Sequence, residues 1–170
     1  APADDDLFLA LCLHGAKHRW ARLEWLACAT ALAIRADLDL PSLLLAANGI
    51  GARRTVLLAL RLARDALGLA LPHAIHRSID ADPALAALAE EARGLWFAAE
   101  AEGDETPANL RFNGRLRDGT ADRARYAARW LFLPSPEDWA WVRLPDALAP
   151  LYRVLRPLRL AARYGRRGTR

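Results

Sequence analysis

Apolar residues recur at intervals of three and four along most of this chain, and nowhere do they alternate as a half-buried strand requires. Asp4, Asp5 and Asp6 stand before Leu7, Phe8, Leu11 and Cys12, which predicts a helix with carboxylates at its positive end. A second helix is predicted over about residues 16–35, with Trp20, Leu23, Ala27, Thr30 and Ile34 along one face. The segment from Asp37 to Pro41 breaks it. Pro41 opens a short helix through Leu45, closed near Asn48 and Gly49, and a longer one carries Val56, Leu57, Leu60, Ala63 and Leu67 to a stop at Gly68. Pro72 ends that unit.

Asp82 followed by Pro83 predicts an N-cap with proline at the first helical position, opening a helix with Leu85, Leu88, Ala92 and Leu95. Residues 101–107 are polar and without apolar period, a linker candidate. Beyond them the pattern predicts a short helix over 110–116, another over 120–133, a turn at Ser135 and Pro136, and a last helix from Asp146 that Pro157 should kink or divide. The expectation is an all-α, multi-helix single domain.

Composition narrows the picture. With 170 residues, 54% of them hydrophobic, the chain can bury a core. Arg, Asp or His interrupts every apolar run, so no membrane span is expected. The acidic start lacks the basic region of a secretory signal, and the absence of any Met, even at position 1, points to a fragment or a processed product. Two cysteines, Cys12 and Cys28, give no staple pattern, and a reducing cytoplasm is the expected location. The net charge of +4 is concentrated at the end, where Arg153, Arg156, Arg159, Arg163, Arg166, Arg167 and Arg170 make phosphate, and hence nucleic acid, a candidate partner, although such a run is more often a solvated tail.

Lys17 is the only lysine, and it sits in the densest polar cluster, from His14 to Trp20. A chain that uses arginine elsewhere yet keeps lysine here is expected to need a compact, rotatable ammonium at this point. The plain alternative is a chance survivor on a solvated helix end. If one helix runs through this region, Lys17, Glu24 and Cys28 share a face, with Trp20 and Trp25 buried on the other side. His14 and His18, four residues apart, lack a third ligand at a recognisable spacing, so no metal is assigned to them. Arg53 and Arg54 follow Gly51 at a helix start, where phosphate is attracted; a solvated first turn is the commoner meaning. Most of the six tryptophans are spaced to pack on helix faces, so core rather than stacking on bases is the expectation.

The run His14, Gly15, Ala16, Lys17, His18, Arg19, Trp20, followed by Arg22, Leu23 and Trp25, resembles the signature that opens the C-terminal helical region of the uncharacterised bacterial nucleotidyltransferase-like family. Looser likeness continues through Gly51 and Arg54, Leu71 and Pro72, Arg129 to Phe132, Asp138 and Trp139, and Arg156 to Arg159. Members are similar to polymerase β-type nucleotidyltransferases, whose N-terminal α/β half carries a Gly-Ser turn and an Asp-x-Asp strand that hold nucleotide phosphates and divalent metal. The resemblance therefore implies a helical region that, beside such a half, helps transfer a nucleotidyl group from a nucleoside triphosphate to an acceptor. It places Lys17, Arg19, Glu24 and Arg54 near the nucleotide, and expects magnesium and the triphosphate only in a full-length protein. Cys28 stands where the family pattern has an acid, with Glu24 as the substitute one turn away.

Three acidic segments mimic the metal motif: Asp4 to Asp6, Asp37 with Asp39, and Asp80 with Asp82. Each sits where a helix starts or stops and reads as capping, so no catalytic residue and no metal ligand is assigned, and the chain alone is expected to be inactive. The alternative is a module without catalysis that binds nucleic acid through its Arg-rich end or docks a protein.

Overall fold

In the computed structural model, residues 4–36, 38–97 and 106–164 are described, and every regular element among them is a helix. The all-α expectation holds. By its contacts the chain falls into two compact units, residues 1–120 and 121–170, and each is described by itself.

The first unit holds α1 (Asp4–Lys17), α2 (Leu23–Ala36), α3 (Leu40–Gly49), α4 (Arg53–Leu67), α5 (His73–Asp80), α6 (Pro83–Arg93) and α7 (Pro107–Arg115). Helix α4 is its axis. Val56, Leu57, Leu58, Ala59, Leu60 and Leu62 are all buried, so this helix presents a wide apolar face to its neighbours, with Arg53, Arg54, Arg61, Arg64 and Asp65 gathered on the remaining side. It packs against α1, α2, α3, α5 and α6. Its end is set by Gly68, whose φ of 70° is the left-handed conformation that glycine reaches without strain.

The acidic segments cap helices. Asp39 accepts from the backbone N–H of Ser42 at 3.3 Å and from its hydroxyl at 2.6 Å, bonds that hold the Asp39 carboxyl below its ordinary range. Asp82 accepts from the N–H of Ala84 at 3.0 Å. Asp4, Asp5 and Asp6 form the first turn of α1. Pro72 does more than end a unit. It is the N-cap of α5, which the apolar pattern did not predict because only Ile75 and Ile79 of its eight residues are buried. Most of the candidate linker at 101–107 lies outside the described residues; its last two, Thr106 and Pro107, cap and open α7.

The second unit holds α8 (Thr120–Phe132), α9 (Pro136–Trp141), a 3₁₀ turn (Asp146–Leu151) and α10 (Tyr152–Tyr164). Ser135 and Asp138 form a reciprocal capping box, which turns the predicted turn into a short helix. Pro157 does not divide α10. The change of helix type falls at Leu151 and Tyr152 instead, just after Pro150, and residues 152–164 run through Pro157 as one helix.

Helix α10 is inverted in polarity: Arg156 and Arg159 are buried while Val154 and Leu158 are exposed. The inward guanidiniums meet Asp138, whose side chain is 1% exposed, at 2.8 Å from Arg156 Nη1 and 2.5 Å from Arg159 Nε. Arg156 Nε also donates to the carbonyl of Trp130 at 2.8 Å. Burial pushes the Asp138 carboxyl up, but the hydrogen bonds from Arg156, the Ser135 N–H and Arg159 outweigh it and leave it below its ordinary range.

Candidate functional site

The polar run around Lys17 is not one helix face. Helix α1 stops at Lys17, and Arg19 and Trp20 take φ values of 55° and 54° before α2 begins at Leu23. Two consecutive non-glycine residues in the left-handed region cost roughly 1–2 kcal/mol each, so the surroundings must hold them there. They do so through burial, with Trp20 fully enclosed, and through hydrogen bonds: Trp20 N–H donates to the Gly15 carbonyl at 2.7 Å and Arg19 N–H to that of Ala16 at 3.0 Å. Trp96 Nε1 donates to the Trp20 carbonyl at 2.8 Å, and Asn113 Nδ2 reaches the Lys17 carbonyl at 3.5 Å. Asn113 thereby caps the end of α1, and Trp96 fixes the turn that follows it.

Gly15 is what lets the chain fold back. A Cβ built there would lie 2.5–2.6 Å from three carbons of the Trp20 indole. The glycine in the motif is thus explained by close approach of the ring to the helix backbone. The tryptophan is explained by filling that space.

This turn corrects the expected alignment. Lys17 ends α1, whereas Glu24 and Cys28 lie on α2, so the three do not share a face of one helix. Lys17 is exposed, in the last turn of α1, where a cation also complements the helix dipole. Trp20 is buried as expected; Trp25 is half-buried against the core. Glu24 is bonded to Arg22 at 3.0 Å, and the Arg22 guanidinium lies 5.8 Å from the Trp25 ring centre. Beside them His14 and His18 are 4.8 Å apart, ring to ring, and each is 5.1 Å from Trp25. Lys17 therefore borders a surface of aromatic and cationic groups. The histidines stay a pair, since no three His, Cys, Asp or Glu gather in metal-binding geometry among the described residues.

Arg19 and Arg54 are not brought to Lys17's surface as exposed cations. Arg19 is buried and lies 3.8 Å from Glu91, which Arg115 also engages. Arg54 Nε donates to Asp82 at 2.6 Å, and its Nη1 donates to the carbonyls of Arg115 and Arg117 at 2.8 and 3.0 Å. It ties the start of α4 to the N-cap of α6 and the end of α7. Sequence reasoning missed Glu91, Asn113 and the Trp96 bond, because each partner is remote in the chain and carries no local signal.

The basic C-terminal run is also divided by the fold. Arg156 and Arg159 turn inward to Asp138, Arg153 and Arg163 are exposed, and Arg166, Arg167 and Arg170 lie outside the described residues. Cys12 is buried, which pushes its thiol far up and leaves it unreactive, whereas Cys28 is exposed. No helix of the described residues is long and apolar enough to cross a membrane.

Comparison with known proteins bears on the first four helices. Neither the curated proteins nor the solved structures give a match. Residues 1–68 match the model of a family described as uncharacterised nucleotidyltransferase, a stretch that runs from α1 to the Gly68 cap of α4 and includes the whole His14 to Trp20 motif.

Proposed function

We propose that this chain is the helical, nucleotide-side region of a nucleotidyltransferase-like protein. Beside a half carrying the Gly-Ser turn and Asp-x-Asp strand, it transfers a nucleotidyl group from a nucleoside triphosphate to an acceptor. The observation that carries this reading is the match over residues 1–68, within which Lys17 is an exposed cation of the motif. Lys17 acts at the phosphates, where a compact ammonium serves as a point charge. Arg19 and Arg54, each paired to an acid, act as positioning residues for the helices around it. Glu24 steadies Arg22 against Trp25 at the rim of the same surface.

The family reading implies magnesium, and the acids among the described residues do not fit it. Asp39 is bonded to Ser42, Asp82 to Arg54 and the Ala84 N–H, and Asp4 to Asp6 spread over a first helical turn. Among the described residues no three acids, histidines or cysteines gather as the metal site that phosphoryl-type transfer uses. No catalytic step is therefore assigned to these residues, and the chain alone is proposed to be inactive.

The test is transfer of α-labelled nucleotide by the 170-residue chain, alone and joined to a catalytic half of the same family. No transfer alone and transfer on joining is the expected result. Folded joined protein that transfers no nucleotide would remove the reading.

A further inference from the structure

A second cationic surface, which does not include Lys17, lines an open pocket of about 750 Å³ between the start of α4 and the α5–α6 corner. Arg53, Arg54, Arg77, Ser78 and Asp82 give it its polar wall, and Ala74, Ala81 and Pro83 the remainder. The charge accounting on this wall is unequal. Asp82, its one acid, is spent on Arg54 and on the N–H of Ala84, and the Ser78 hydroxyl donates to the carbonyl of Ala74. Arg53 and Arg77 have no carboxylate partner among the described residues. Elsewhere in the first unit arginine is habitually paired: Arg22, Arg35, Arg61, Arg64 and Arg93 each reach an acid.

Arg53 is also placed against its helix. It opens α4, whose first turn has no acid and whose N-cap residue, Ala52, gives no side-chain bond. A cation at that end meets the positive pole of the helix dipole, an arrangement that an anion in the cavity would reverse. The unpaired guanidiniums and the cavity they line carry the inference, and the helix end adds to it.

We propose that this cavity binds the phosphate chain of a small di- or triphosphate. Two guanidiniums without counter-charge on one wall match a ligand bearing several negative charges, and each can grip a phosphate with two parallel N–H donors. No aromatic residue lines the cavity, so the phosphate chain is recognised rather than a base. Lys17 is not on this wall, and the inference requires no catalysis. Its failure would leave the proposed transfer standing, and failure of the transfer would leave this site standing.

Calorimetric titration of the full chain tests it, with tripolyphosphate, pyrophosphate, inorganic phosphate, ATP and adenosine as probes. Saturable binding is expected in the order tripolyphosphate, pyrophosphate, phosphate, with ATP close to tripolyphosphate, adenosine silent and affinity falling as salt rises. Arg77→Glu, at an exposed position, should weaken tripolyphosphate by about tenfold or more, the scale of a lost charge-assisted pair. Arg53→Gln should weaken it in the same direction, and Arg111→Gln, an exposed arginine on α7, should not. Unchanged thermal midpoints of the free variants show that folding is intact. No saturable binding overturns the proposal, as does equal weakening by Arg111→Gln or undiminished binding by Arg77→Glu. ATP binding that adenosine competes away would show that a base is recognised, and would overturn it too.

Discussion

Gly15 and Trp20 show how a motif can be maintained by packing as well as by chemistry. With a Cβ at position 15 set to fall 2.5 Å from the indole, Gly15→Ala should destabilise the chain by about 1–3 kcal/mol, the range for overpacking a filled core. Trp20→Ala should cost about 3–5 kcal/mol, since the ring is fully buried. Denaturant titration checks both. Lys17→Ala should stay within about 0.5 kcal/mol, as expected for an exposed helical residue. Composition marked Lys17 as unusual, while its exposure was expected from a single helix that the structure replaces with two. The turn beside it was hidden, because the left-handed residues are Arg19 and Trp20 rather than the glycine or asparagine that usually announces such a conformation.

At the scale of elements, capping chemistry was the most readable signal. Asp39, Asp82 and Gly68 mark helix ends as their residue types predict. Prolines were harder to read: Pro72 starts a helix rather than only closing one, and Pro157 sits inside a continuous α10. Least legible was the inverted α10, because a run of arginines reads as solvated until Asp138 is placed against it. Asp138→Asn should destabilise the second unit by about 3–5 kcal/mol, the penalty for leaving buried charge without its partner. The carboxyl is depressed in the folded chain, so its contribution is complete above the ordinary carboxyl value of about 4 and is lost as pH falls through the lower folded value. Thermal midpoints followed from pH 5 downward should therefore drop more steeply for the native chain than for Asp138→Asn.

For the whole molecule, the net charge of +4 conceals an uneven distribution. Most arginines of the first unit are tied to acids, two of the C-terminal run are buried, and the unpaired cations fall on particular surfaces. The helical class was legible throughout because caps and periodicity agree. The division into two compact units was not, since α8 follows α7 with only a few intervening residues and the arginine-rich end reads as a solvated tail. The proposed role of the first unit rests on Lys17 acting as a positioned ammonium rather than as a compositional accident. Its most direct test is nucleotidyl transfer by the protein joined to its catalytic half, with Lys17, Lys17→Arg and Lys17→Ala compared at equal folded fraction. Transfer should fall by about a hundredfold for Lys17→Ala, the scale of removing one charge-stabilising donor, and Lys17→Arg should restore little of it. Equal transfer by all three proteins would contradict the assignment of Lys17 to the phosphates.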